Sequence, residues 1–294
     1  MTIVELVLIL VRGLGQGAIF ALIAMSLNVI ASASSILNFA VGALMVLAGV
    51  GAYMILPSDP TLFGWIMAGL LIALGMGVFG FLQGGLTLIP LKSSVEQHSW
   101  LITTMAVSII IGAGIHLFGG SLAFRVPSPI PPVTIYSTTT PTAYLLLIVL
   151  AVAVYLCLKW FHSRTYIGLA MSAVAQDLDA SKAAGINVRR VQLASFSLAG
   201  VVLGLTGHIG APVINISADT GIGYLLSGFT AAVVGGMGNN LGALVGGAMV
   251  GVLSMFAAYQ FGGIYQDSVT MGLLILVLMI RPEGIFGLAA ARKV

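Results

Sequence analysis

Apolar residues run along this chain in long blocks broken only by sparse charge. The blocks are too long and too uniform for strands or for helices that are apolar on one face only. Charge-free stretches lie at 13–58, 60–91, 97–124, 126–158, 191–218, 220–266 and 268–280. A helix needs about 20 residues to cross about 30 Å of hydrocarbon. By that measure the first and sixth stretches hold two helices each. The fourth opens with a proline-rich loop, and the last borrows residues before Asp267. The pattern predicts spans near 8–30, 36–56, 62–90, 100–119, 142–160, 191–212, 221–238, 240–260 and 265–281. Polar, helix-breaking residues make 36–56 and 221–238 candidates for broken or re-entrant segments, so the expected count is about nine, within eight to ten. The fold class is an all-α polytopic membrane helix bundle, one transmembrane domain over 1–294, with residues 161–190 as its long polar loop.

Composition supports that reading. The 294 residues include 11 basic and 8 acidic side chains, 19 in all, where an ordinary soluble protein of this length would carry about 74. Hydrophobic residues make up 59% of the chain and mean hydropathy is +1.14, leaving too little polar surface to cover a water-soluble globule. The net charge of +3 is spread too thinly to track a nucleic-acid backbone. Cys157 is the one cysteine, so disulfide frameworks and cysteine metal sites are excluded. The stretch Met1 to Glu5 has no basic residue of the kind that opens a cleavable signal, and the apolar run after it reads as a retained first helix.

Basic residues set the expected orientation. Lys159, Arg164, Lys182, Arg189 and Arg190 flank the long polar loop, and Arg281, Arg292 and Lys293 form the tail. Both regions are expected in the cytoplasm, with four crossings between them and five before them. That places the N-terminus outside, against which Arg12 is a mild dissent. The loop 121–141 carries Pro127, Pro129, Pro131, Pro132 and Pro141 and is expected to be stiff, external and suited to receiving a partner.

Helices in lipid associate through small residues that let backbones approach. Gly13 and Gly17, Gly80 and Gly84, Gly200 and Gly204, Gly242 and Gly246, and Gly247 and Gly251 are each four apart and fit that role. Residues 42–51 and 242–251 agree at six of ten positions, a faint sign of internal duplication.

Catalytic chemistry has little to stand on. The dipeptide Gly-Lys is absent, so no phosphate-cradling loop can form, and neither His-Glu-x-x-His nor Gly-x-Ser-x-Gly occurs. His116 and His208 fall within spans, while all eight acids fall at span ends or in loops, which argues against proton-driven transport. Thr220 to Tyr224 resembles a potassium filter only faintly and lacks the pore-helix context.

Two polar breaks stand out. Ser32 to Phe39, containing Ser34, Ser35, Asn38 and Phe39, is either a turn or a source of substrate and gate contacts. Val234 to Asn240, with Asn239 and Asn240, is either a tight turn or a gate. The long loop reads as one amphipathic helix over 165–184, with Ile167, Met171, Val174 and Leu178 at helical spacing. Gly185 stops it and Asn187 caps the next helix, a shape suited to docking a partner.

These residues carry a resemblance. Asn38-Phe39-Ala40-x-Gly42, the loop from Ala175 to Val188, Val234-Gly-Gly-Met-Gly238 with Gly242-Ala243, and Arg281-Pro-x-Gly-Ile-Phe-Gly287 are similar to motifs of the membrane permease subunits of ABC importers of the branched-chain amino-acid type. The similarity covers nearly the whole chain. It implies a permease without an ATPase site of its own, located in the bacterial inner membrane. The implied partners are a second permease, two separate ATP-binding subunits that hold the ATP, and a periplasmic substrate-binding protein. It also implies that the loop is a coupling helix, with Asp177, Ala180, Ala184, Gly185, Ile186, Asn187 and Arg189 in that role. Ser34, Ser35, Asn38, Phe39, Asn239 and Asn240 are the candidate substrate-pathway residues. Where relatives commonly read Asn-Phe-Ala-His-Gly and then an acid, this chain has Val41 and Ala43, so an amide or other carboxylate could replace an amino acid as solute. A stand-alone channel is the alternative from another class.

Overall fold

The computed structural model describes residues 3–88, 99–119, 126–135, 138–281 and 283–287. Eleven helices and one small hairpin are formed among them: α1 (Ile3–Ser34), α2 (Val41–Ile55), α3 (Leu62–Leu88), α4 (Ser99–Gly119), β1 (Val133–Ile135), β2 (Thr138–Thr140), α5 (Thr142–Arg164), α6 (Tyr166–Gln176), α7 (Leu178–Ala183), α8 (Val188–Gly210), α9 (Thr220–Gly235), α10 (Asn240–Phe261) and α11 (Tyr265–Ile280). Six of these, α1, α3, α4, α5, α8 and α10, are long and apolar enough to cross a membrane. Helices α2, α9 and α11 are apolar but shorter, at 15, 16 and 16 residues. The tail residues Arg292 and Lys293 and parts of the 62–90 span and the 121–141 loop lie outside the described residues.

Helix α1 is the axis of the bundle. It packs on α5, α8 and α9 and most extensively on α10, and its middle third, Ile19 to Met25, is almost wholly buried. The expected glycine pairs all sit in helix contacts. Gly13 and Gly17 meet Gly247, Gly251 and Val252 of α10, while Gly80 and Gly84 of α3 meet Phe196 of α8. Gly200 and Gly204 of α8 lie against Ala73 and Met76, and Gly242 and Gly246 of α10 against Gly235 and Ala231 of α9. At each seam the partner's backbone occupies the place a side chain would need, which brings many weak dispersion contacts into range at once.

The bundle has two recognisable ends. One carries the β1–β2 hairpin, paired antiparallel with Thr134 opposite Thr139. Arg12 is bound to it, its guanidinium donating to the Thr139 carbonyl at 2.9 Å, so the basic residue that dissents from the charge rule is engaged in holding this hairpin. The other end carries α6 and α7. The single helix expected over 165–184 is a correction: Asp177 is extended (φ −152°, ψ 110°), and its carboxylate accepts the N–H groups of Asp179 and Ala180. A side chain that caps a new helix ends the preceding one, because the same residue cannot also be helical. Of the predicted apolar face, Met171 and Val174 pack with Ala33 and Val191, while Ile167 and Leu178 are exposed.

Substitutions at glycine should separate seam from surface. Gly200→Val drives a side chain into the Met76 backbone and should cost about 1–3 kcal/mol of stability. Gly75→Val, where nothing lies within 4 Å of the added carbon, should stay within about 0.5 kcal/mol. Thermal unfolding of the detergent-solubilised protein reads both.

Candidate functional site

Helix α9 begins inside the bundle. Its Tyr224 ring lies 6.3 Å from that of Phe20 and its Gly228 packs on Ile23, both in the middle of α1. The segment leading to it, 211–219, is irregular, yet Ala211, Ile214 and Ile216 are buried. Non-helical backbone at such depth is tolerated only where protein covers it or it borders water. Here it borders a cavity of about 720 Å3.

The walls of the cavity come from α1 (Gln16, Ile19, Phe20), α5 (Tyr144), the irregular segment (Asn215, Asp219) and α9 (Thr220 to Ser227), closed by Gln266 and Asp267 of α11. Asp219 stands at the cap position of α9 without a side-chain capping bond. The first-turn N–H groups of α9 have no intrahelical acceptor, and that of Thr220 is met by the Ser217 carbonyl at 3.3 Å, so the positive dipole end of this half-helix lies beside the cavity. Two carboxylates face the same space, and among the described residues no Lys or Arg lines it. The exposed His116 of α4 stands 3.9 Å from the Asp219 carboxylate. Aliphatic and aromatic groups alternate with these polar ones, giving a surface that can receive a small solute with both a charged and an apolar part.

The family described as branched-chain amino acid transport system, permease component, matches residues 9–279. The chain belongs to this family. It is 31% identical to the high-affinity branched-chain amino acid transport system permease protein BraD of Pseudomonas aeruginosa, with 97% of each chain covered. The LivH permease proteins of Salmonella typhimurium and Escherichia coli are 28% and 27% identical, with 96% of each chain covered. No solved structure matches significantly. The chain is thus a transport permease and a multi-pass membrane protein of the branched-chain amino-acid ABC type.

The polar residues singled out along the permease sequence divide into separate places. Asn38 is fully buried, exchanging its amide with Gln83 of α3: Asn38 Nδ2 donates to Gln83 Oε1 at 3.2 Å, and Gln83 Nε2 donates back to Asn38 Oδ1 at 2.8 Å. The same Oδ1 accepts the Ala40 N–H, shaping the turn into α2. Ser34 donates to the Ile30 carbonyl and accepts the Ile36 N–H; Ser35 ends α1 at φ 55°; Phe39 stacks on Trp100. None of these four lines the α9 cavity. Asn239 caps α10 by accepting from Leu241 and Gly242, and Asn240 accepts from Asn28 of α1 at 3.4 Å. They stand at the opposite end of α9 from the cavity. His208 is buried against Trp65, ring centroids 4.7 Å apart, in the α3–α8 seam.

The loop residues stay together. Asp177, Ala180, Ala184, Gly185, Asn187 and Arg189 are exposed on one projecting unit, with Ile186 partly buried beneath it. Gly185 has φ 81°, its N–H bonded to the Lys182 carbonyl and that of Ile186 to the Ser181 carbonyl, the double bond pattern that closes a helix with a left-handed residue. Asn187 caps α8 by accepting the Arg190 N–H. The residues that sequence reading passed over are Gln16, Asn28, Gln83 and Asn215. The amides among them were visible as isolated polar side chains inside charge-free blocks, a signal as strong as that of Asn38.

Because the Asn38–Gln83 pair is sealed from water, Asn38→Leu strands a glutamine and should destabilise the fold by about 1–3 kcal/mol. Gln83→Leu should do likewise, and the double variant should cost less than the sum of the two. A thermal double-mutant cycle on purified protein tests the coupling.

Proposed function

We propose that the chain forms one wall of the solute pathway of a branched-chain amino-acid type ABC importer, with the α9 cavity as its part of the route. The observation that carries this reading is the half-helix N-terminus opening, at mid-bundle, on a cavity lined by Asp219 and Asp267 and, among the described residues, by no Lys or Arg. A zwitterion is matched by such a wall, its carboxylate to the helix N-terminus and its ammonium to the aspartates. A free carboxylate without a cation is repelled by the aspartates. The acid pair therefore favours an amino acid over an amide or a simple carboxylate, and Ile19, Phe20 and Leu226 supply apolar contact for its side chain.

A polar cavity facing lipid would be costly, so a second permease of the same kind covers it and completes the pathway. In this arrangement α2, α9 and α11 join the six long helices to give nine membrane segments. The α6–α7 end and the C-terminus lie in the cytoplasm of a bacterium, and the N-terminus and the β1–β2 hairpin lie outside, where a substrate-binding protein delivers solute. Two ATP-binding subunits dock on the loop through Asp177, Ala180, Ala184, Gly185, Ile186, Asn187 and Arg189 and carry the ATP. The permease itself catalyses no reaction.

The pathway is tested in proteoliposomes containing the whole importer. Ile222 faces the cavity, so in a Cys157→Ser background a bulky thiol reagent on Ile222→Cys should lower ATP-driven leucine uptake at least about tenfold, equivalent to about 1.4 kcal/mol. Asp219→Asn should reduce uptake of leucine more than its assembly with partners. Undiminished uptake in both would remove the cavity from the route.

Coupling is tested at Gly185. The first carbon of a side chain added there meets no neighbour within 4 Å, so the left-handed backbone is what opposes a valine, at about 1–2 kcal/mol. Gly185→Val should leave insertion intact and lower the transport-coupled fraction of ATP hydrolysis, measured in the same vesicles.

A further inference from the structure

The motif Val234 to Asn240 and the segment after α11 are interlocked backbone to backbone. Ile285 donates its N–H to the Val234 carbonyl at 2.8 Å and Phe286 donates to the Gly235 carbonyl at 3.2 Å. Those carbonyls belong to the last turn of α9 and have no intrahelical donor. Asn239 adds a side-chain bond from its Nδ2 to the Phe286 carbonyl at 3.3 Å. The approach is close because two glycines face each other: Gly236 (φ 94°) and Gly284 (φ 78°) lie where a side chain on either would strike the other strand's backbone. A further bond, from the Gly238 N–H to Asn28 Oδ1 at 2.9 Å, ties the turn to α1.

The other end of the same helix is the cavity wall, Thr220 to Ser227. Helix α9 has no proline and runs unbroken over its 16 residues. A continuous helix transmits displacement along its axis, and Ile222 and Gly235 are about 20 Å apart at 1.5 Å per residue.

We propose that Glu283–Gly287 is a strap that sets the position of the cavity end of α9, with Asn239 as its positioning residue. The strap bonds occupy the Val234 and Gly235 carbonyls, and their loss frees the end of α9 farthest from the cavity. The functional meaning of the proposal rests on the cavity being the pathway; the mechanical link does not.

Asn239 has two separable tasks, and Asn239→Asp divides them. The aspartate keeps an acceptor for the Leu241 and Gly242 N–H groups but cannot donate to the Phe286 carbonyl. Gly284→Ala attacks the strap from its own side, where the added carbon meets the Val233 carbonyl, and leaves the α10 cap untouched. Each is placed in the full importer carrying Cys157→Ser and Ile222→Cys, and the rate of modification by a small cationic methanethiosulfonate is measured. Ser58→Cys, on the exposed connection between α2 and α3, is the reference. Both strap variants should change the rate at Ile222→Cys at least about threefold, as a shifted population of wall positions would, while the rate at Ser58→Cys stays constant. An unchanged rate at Ile222→Cys overturns the proposal. So does failure of both variants to assemble, which would make the strap a folding element only. If modified Ile222→Cys still transports leucine normally, the pathway reading falls while the labelling rates continue to judge the strap.

Discussion

In the hydrocarbon core a polar group finds no water, so every amide and every backbone group at depth must be answered by the protein itself. That constraint explains the main arrangements of this bundle. Asn38 and Gln83 bond to each other, and Asn28 of α1 satisfies both the turn after α9 and Asn240. The last carbonyls of α9 are met by the strap. Not every buried polar group is answered: both ring nitrogens of His208 and the Trp65 indole N–H are buried without a partner among the described residues, and the cavity beside Thr220 leaves Asn215 and Asp219 exposed.

Much of this was legible in the sequence. The blocks between charges mark the helices, and the breaks at Ser35–Ala40 and Gly236–Asn239 fall where serines, glycines and asparagines interrupt them. Those residues prefer turns for local reasons that need no tertiary context. Glycines four apart reported helix seams for the same reason, since they serve only close approach. Partnership was less legible. That Asn38 would turn inward to Gln83, 45 positions away, depends on how α2 meets α3, and no local pattern encodes it. The cavity was hidden for a related reason: Gln16, Asn215 and Asp267 are dispersed over three parts of the chain and converge only once the bundle has formed. The loop was read as one helix because the periodicity of its apolar residues continues through Asp177, whose carboxylate resets the helix there.

Two short helices define the functional layout. Helices α2 and α9 begin beside each other, Gly42 packed on Gly221, and their irregular leads, 35–40 and 211–219, both run within the protein. The second lead opens on the cavity, its polar groups Asn215 and Asp219 exposed, where Asn38 of the first is sealed. The resemblance between 42–51 and 242–251 does not pair these two helices, since the second segment lies in α10. The two stretches share a use of glycine at seams and differ in what they pack against.

The seam between α1 and α10 has a consequence for biogenesis. Gly17 rests on Gly247, so this face of α1 is completed by residues 230 positions later. At synthesis rates of about 5–20 residues per second, roughly 10–50 s pass before that face can be covered. During this interval the glycine groove of α1 is exposed to lipid or to whatever insertion factor occupies it. A chain lacking α10 therefore leaves this glycine face of α1 uncovered.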